Sequence, residues 1–296
     1  MVTVITPTYK RHQYLRNAIE SVLAQTYTDF EMIIVDDNPP RTAERILTED
    51  VVKDIQDPRI HYIQNKNNQG GAASRNVAIE AARGDFIAFL DDDDVYLPDR
   101  LRVQVEAMMA HDWDVSVMDG ATYRYETGNL VSERHQRLWD GMSNEDLIRC
   151  NLIYHISGTN TFMFRTDFIR RIGGFDIVPS CQEYFLMQKA LDAEPRFGYL
   201  PVTLIKNFQH EGEQISKSPL KIVGQKILIE NKKQYFYLLT PRERRKVMCR
   251  HHGVLFFVYY KMRRRWKAVV EAILCFFTSP VSAVTWMKEY KGKLTA

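Results

Sequence analysis

A chain of 296 residues, 45% apolar and 26% charged, has the composition of an ordinary globular protein, which excludes disordered and collagen-like classes. Its four cysteines lie far apart without CxxC spacing, so neither a zinc ribbon nor a disulfide framework is expected, and a reducing compartment fits. The net charge of +3 conceals an asymmetry: from Lys217 onward 18 Lys+Arg face 4 Asp+Glu, giving +14, while the preceding residues hold 22 basic and 33 acidic groups, giving −11. An acidic body suits a metal or polar substrate, and a basic tail suits an anionic surface.

Met1 runs directly into an apolar strand, with no room for a signal peptide, so a cytoplasmic protein is expected. Val2 to Thr6 and Phe30 to Val35 read as short buried strands. Between them Tyr14, Leu15, Ala18, Ile19, Val22 and Leu23 recur at helical spacing, which makes a strand, helix, strand unit. A helix over Ala43 to Val52, a strand at Ile60 to Ile63, a helix over Gly71 to Ala82 and the strand Phe86 to Leu90 continue the alternation. This predicts an α/β class with a mostly parallel sheet flanked by helices. A helix from beyond Pro98 to Ala110, a strand at Val115 to Met118 and a polar stretch without clear period through Asn151 follow. Thr161 to Phe164 reads as a strand and Glu183 to Leu191 as a helix; from Pro219 the pattern is helical, interrupted at Pro241 and Pro280.

Ligands of open α/β sheets bind beyond the carboxyl ends of the strands. Here those ends carry Thr6-Pro7-Thr8-Tyr9, Asp36-Asp37-Asn38 and Asp91-Asp92-Asp93-Asp94. Four consecutive aspartates repel one another unless a cation compensates them, and hard divalent ions take carboxylate oxygens together with substrate phosphates. The alternative is a solvated acidic turn. Tyr9 could stack on a base while Asp37 accepts an imide N–H. Gly70-Gly71 followed by Ser74-Arg75-Asn76 places a helix N-terminus and a guanidinium where a diphosphate could rest. A dinucleotide fingerprint and a Walker A loop are both absent, which disfavours oxidoreductases and P-loop nucleotidases.

Taken in order, Thr3-Val4-Ile5-Thr6-Pro7-Thr8-Tyr9, Ile34-Val35-Asp36-Asp37-Asn38, Gly70-Gly71 with Ser74-Arg75-Asn76, Arg83-Gly84-Asp85 running through Asp94, and Gly173-Gly174-Phe175-Asp176 resemble the family 2 inverting glycosyltransferases of the GT-A fold. The likeness runs from about Val2 to Ser216. It implies a GT-A domain over 1–216 and a basic helical C-terminal extension over 217–296. It implies further that Pro7, Tyr9 and Asp37 hold the nucleoside, usually uridine, with Arg75, Asp91 and Asp92 beside the nucleotide. Asp91 and Asp93 become the Asp-x-Asp pair, with Asp93 the direct ligand of Mn²⁺ or Mg²⁺. His210 corresponds to a late histidine that approaches metal or diphosphate; a surface loop histidine is the plainer reading. The family's general base opens a helix after Gly-Gly-Phe-Asp, the place of Glu183, where many relatives have Asp; a carboxylate stabilised by the helix dipole is the alternative.

Processive relatives carry Gln-x-x-Arg-Trp, whereas Arg265-Trp266 here follows Met262, so transfer of single sugars is expected. The resemblance and the basic tail together suggest a UDP-linked sugar donor and a glycan or lipid-linked acceptor, as in bacterial surface-polysaccharide assembly. Rival functions are a sugar nucleotidyltransferase, whose Gly-rich loop is missing, and a non-catalytic nucleotide-sugar-binding membrane scaffold. The run Lys261 to Lys267, with the apolar residues that follow, suits a helix lying on the anionic inner face of a membrane, or one packed on the catalytic domain or a partner subunit. Nucleic acid is not expected as a partner, since no recognition fold accompanies the charge.

Overall fold

The computed structural model of the chain describes residues 1–156, 158–210 and 219–285, in two compact units. Of the described residues the first comprises 1–144, 156, 158–177 and 183–210; the second comprises 145–155, 178–182 and 219–285.

The first unit opens with β1 (Val2–Thr8), α1 (His12–Leu23) and β2 (Phe30–Asp36). β2 is buried along its whole length, which explains its unbroken apolar run. Leu15, Ala18, Ile19 and Val22 of α1 are fully buried against the sheet. Burial of each large side chain stabilises by roughly 1.5–3 kcal/mol, more than the spread of helix propensities, so tertiary packing sets this helix. Next come α2 (Ala43–Ile55), N-capped by the Thr42 hydroxyl and ended by Gln56 in the left-handed region, β3 (Ile60–Gln64), α3 (Gly71–Ala81) and β4 (Phe86–Phe89). Strands β3, β2, β1 and β4 pair in parallel in that order. Gly84 lies so close to β1 that a Cβ there would meet Thr3 N at 2.6 Å, hence the glycine before Asp85.

The remainder of the first unit is mixed. β5 (Val95–Tyr96), α4 (Arg100–Ala110), β6 (Val115–Arg124) and β7 (Leu130–Arg134) precede β8 (Phe162–Arg165), α6 (Thr166–Arg171), α7 (Gln182–Asp192) and β9 (Phe197–Gln209). The sheet continues from β4 through β8, β6 and β9 to β5, with β7 on β6; only β6 and β9 in this half pair in parallel. The α/β class with helices around a central sheet is as expected, but parallel pairing is confined to the first four strands and to β6 with β9. Three strands escape the sequence reading: β5 is only two residues long, too short to show a period. β7 is exposed at every residue, so nothing alternates. β9 contains Pro201 and shifts register against β6 on both sides of Asp119, which masks its period.

The second unit is helical. α5 (Asn144–Tyr154) leads into it, and α8 (Leu220–Gln234), α9 (Pro241–Lys261) and α10 (Arg265–Thr278) follow. The C-terminal carbonyls of α5 are met by cations. Buried Lys232 donates to Leu152 O, and Arg250 Nη1 donates to Ile153 O at 3.2 Å and Tyr154 O at 3.0 Å. Burial drives the Lys232 ammonium well below its ordinary pKa. Pro241 begins α9 at N1, inside a capping box of Thr240 and Glu243, and does not break a helix. α10 turns Ala268 and Cys275 inward, and Glu271 meets His252 at 2.8 Å. The Cys249 and Cys275 sulfurs are free thiols 3.1 Å apart. Among the described residues no helix is long and apolar enough to cross a membrane.

Candidate active site

Strand register brings the polar segments together. Thr8 lies opposite Asp36 and Ile5 opposite Phe89, so the chain leaves β1, β2 and β4 at one edge with Tyr9, Asp37 and Asp91 beyond the strand ends. Pro7 pairs with Val35 and is half-buried. The Tyr9 ring is 37% exposed and available to stack, with Lys10 Nζ 5.2 Å from its centroid.

The four aspartates divide by burial and by partner. Asp91 takes Arg75 Nη2 at 2.5 Å, and its backbone N–H donates to Asn160 Oδ1 at 2.9 Å. Asp93 accepts from Arg11 Nη1 at 2.7 Å and from His210 Nε2 at 2.7 Å. Asp92 is 3% exposed; Arg11 Nη1 lies 3.3 Å from its Oδ1, and its Oδ2 is buried with no hydrogen-bond partner among the described residues. Burial, then repulsion from Asp93, pushes the Asp92 carboxyl up to about 7. Asp94 is buried too, with its acidity weakened in the same way. It accepts from Phe208 N at 2.6 Å and from Asn160 Nδ2, so it belongs to the frame under the site.

Arg75, Asn76 and Phe175 explain two motifs at once. The Asn76 side chain exchanges two hydrogen bonds with the Phe175 backbone, both 2.8 Å, locking α3 to the Gly-Gly-Phe turn. Gly174 has φ +58°, and a Cβ there would meet Asn76 Oδ1 at 2.5 Å, so only glycine fits. The Arg75 guanidinium lies 5.4 Å from the Phe175 ring centroid, and Phe175 packs edge-on to Phe89. A guanidinium is thereby held at the carboxyl end of β4.

Asp37 does something the sequence reading did not foresee. Its carboxylate accepts from Asn65 Nδ2 at 2.8 Å, Gln69 N at 3.0 Å and Gly70 N at 2.7 Å, closing the loop that enters α3. Much of its accepting capacity is thus occupied within the protein. Glu183 stands in the first turn of α7, half-buried, and among the described residues nothing hydrogen-bonds to or pairs with its carboxylate. The structure therefore joins Arg75 to Asp91, Arg11 to Asp92 and Asp93, and His210 to Asp93; among the described residues Pro7, Tyr9 and Glu183 make no hydrogen bond to that cluster. The residues after His210 in its motif lie outside the described residues.

Several participants carried no sequence signal. Arg11 reaches Asp92 and Asp93 across more than 80 residues. Asn160 bridges Asp91, Asp94 and Asn207 from a stretch without pattern. Buried Arg100 fixes it by donating to Asn160 O at 3.1 Å and Phe162 O at 3.0 Å. Tyr14 stacks on His210 at 4.9 Å, and Tyr125 packs between Tyr14 and Phe208. The helical spacing of Tyr14 marked it only as part of α1.

Comparison with known proteins adds to the geometry. The family profile described as glycosyl transferase family 2 matches residues 3–172. The chain is 40% identical over 111 residues to the putative teichuronic acid biosynthesis glycosyltransferase TuaG of Bacillus subtilis, covering 37% of this chain and 42% of TuaG. It is 34% identical over 120 residues to the UDP-Glc:alpha-D-GlcNAc-diphosphoundecaprenol beta-1,3-glucosyltransferase WfgD of Escherichia coli, covering 40% of this chain and 45% of WfgD. The matches thus span less than half the length of these relatives. Among solved structures, residues 1–349 of S. aureus TarS in complex with UDP-GlcNAc align with a TM-score of 0.61 at 19% identity, over 93% of this chain and 72% of that one. The shared fold is GT-A, with C-terminal helices beyond the sheet.

Proposed function

The chain belongs to glycosyl transferase family 2, and from that premise we propose that it moves one sugar at a time, with inversion, from a UDP-linked donor to a hydroxyl of a glycan or lipid-linked acceptor. The observation that carries this reading is the gathering of Arg75, Asp91, Asp92, Asp93 and His210 at the carboxyl end of β4, with a Glu183 carboxylate at the start of α7 that is unpaired among the described residues. The uridine donor is supported by the UDP-GlcNAc complex of TarS and the UDP-Glc in the name of WfgD; the lipid-linked acceptor is supported by the diphosphoundecaprenol in that same name.

In this reading Pro7 and the exposed Tyr9 ring hold the uracil, and Asp37 acts by holding the loop at Gly70 in place. Arg75, supported on Phe175, faces the diphosphate. Glu183 accepts the acceptor's hydroxyl proton while that oxygen bonds to the anomeric carbon; the bond from that carbon to the diphosphate breaks and UDP leaves. Asp92 and Asp93 offer the carboxylate oxygens that a hard divalent ion takes, Asp92 Oδ2 being buried without a partner among the described residues, and His210 would join them only on giving up the Nε2 proton it donates to Asp93. Mn²⁺ or Mg²⁺ bound there would neutralise the charge developing on the leaving diphosphate. Screening UDP-sugars with Mn²⁺ by thermal shift tests the pocket, since a donor at about 100 times its Kd adds roughly 2.7 kcal/mol of apparent stability. A rise in Tm with UDP-sugars is expected; a flat response to every nucleotide sugar would remove the donor assignment.

The second unit fits an anionic membrane surface, on the cytoplasmic face where such acceptors would be met. α10 turns Trp266, Val269, Val270, Ile273, Leu274 and Phe277 outward, with Trp266 79% and Phe277 80% exposed. The basic residues Lys261, Arg263, Arg264, Arg265 and Lys267 stand at its N-terminal end. An outward apolar stripe beside clustered cations complements acidic headgroups over acyl chains, and each Lys or Arg near the surface contributes about 1 kcal/mol. Replacing Arg263, Arg264, Arg265 and Lys267 by Gln is expected to release the protein from phosphatidylglycerol vesicles in co-sedimentation while sparing transfer to a soluble acceptor. Wild type that stays unbound at low salt would make the stripe a subunit contact.

A further inference from the structure

The Asp92 and Asp93 carboxylates already hold a cation, and it belongs to the chain. Among the described residues no three carboxylate, histidine or cysteine groups converge as metal ligands. Arg11 instead sends Nη1 to Asp93 Oδ2 at 2.7 Å and to within 3.3 Å of Asp92 Oδ1. Arg11 is the N-cap residue of α1 and its side chain does not cap the helix, so its position serves the aspartates. The match is incomplete. A guanidinium carries one positive charge, and its planar fork leaves the buried Asp92 Oδ2 without a partner among the described residues. A divalent ion would bring two charges, and Mg²⁺ takes oxygens at about 2.0–2.1 Å, nearer than the nitrogen of a guanidinium can approach. The Arg11 side chain is 31% exposed and has solvent to withdraw into, whereas those of Asp92 and Asp93, 5% and 11% exposed, are fixed.

We infer that Arg11 is a built-in counter-ion that keeps the aspartate cluster folded in the absence of metal, and that its guanidinium and a divalent cation compete for Asp92 and Asp93. This rests on the divalent ion of the proposed function and adds a residue that sets its affinity. Two consequences follow from charge balance. Removing Arg11 leaves buried carboxylates uncompensated, so the metal-free protein loses stability. The same removal frees their oxygens, so metal binds more tightly.

The test is titration of the full chain with MnCl₂, free Mn²⁺ being followed by its electron paramagnetic resonance signal, together with melting curves with and without Mn²⁺. Arg11→Gln is expected to bind Mn²⁺ at least ten-fold more tightly than wild type, and to melt below wild type without metal but level with it when saturated. Arg11→Lys, which restores the charge without the fork, is expected to fall between the two and serves as the readout if Arg11→Gln does not fold. Asp93→Asn should weaken binding with either residue at position 11. Equal or weaker Mn²⁺ binding by the Arg11 variants, with wild-type binding intact, overturns the inference and leaves the metal reading standing. Absence of Mn²⁺ binding by wild type and variants alike overturns both.

Discussion

Glu183→Gln is expected to lower kcat by about 10²–10⁴-fold, the range of a lost general base, with donor affinity unchanged. Gln keeps the size and the hydrogen-bonding reach of Glu but cannot take a proton. Among the described residues the wild-type carboxylate has no hydrogen bond or ion pair to lose, so folding should be unaffected. Steady-state kinetics with a UDP-sugar decide the role: a large rise in KM at unchanged kcat would move Glu183 into the donor pocket.

Asp93→Asn should lower transfer by about 10²-fold or more, because a metal ion supplies several kcal/mol of charge stabilisation and each 1.36 kcal/mol is tenfold in rate. The fold should survive. Asp93 adds to the repulsion that weakens the acidity of Asp92 and Asp94, so neutralising it relieves two buried neighbours even as Arg11 and His210 lose a charged partner. Circular dichroism and transfer assays with and without EDTA check both halves. Wild-type rates in the variant, or in wild type with EDTA, would remove the metal from the reaction.

How much of this was legible depended on where each partner lies. β1, β2 and β4 are buried on both faces, so their apolar runs announced them, and acidic residues directly after such runs pointed to the site edge. The Gly-Gly-Phe-Asp and Ser-Arg-Asn motifs were visible as words, but not the Asn76 to Phe175 lock that connects them across 99 residues. Asp37 was expected to meet a base. The structure gives its carboxylate to the Gln69 and Gly70 backbone N–H groups, partners that no side-chain pattern reveals. Arg11 and Asn160 act over long separations on aspartates they do not resemble in any motif. β9, which carries Asn207, Phe208 and the approach to His210, was hidden by Pro201 and its register shifts.

The central claim is sugar transfer, and the most direct measurement is UDP release from UDP-sugars with Mn²⁺, with and without a lipid-linked or soluble glycan acceptor, coupled to mass and NMR analysis of the acceptor. The account predicts release that depends on the acceptor, one sugar gained per acceptor, and an anomeric configuration opposite to that of the donor. UDP-sugar that binds without ever being transferred would contradict it in favour of a binding scaffold. Formation of UDP-sugar from UTP and a sugar 1-phosphate would contradict it in favour of a nucleotidyltransferase.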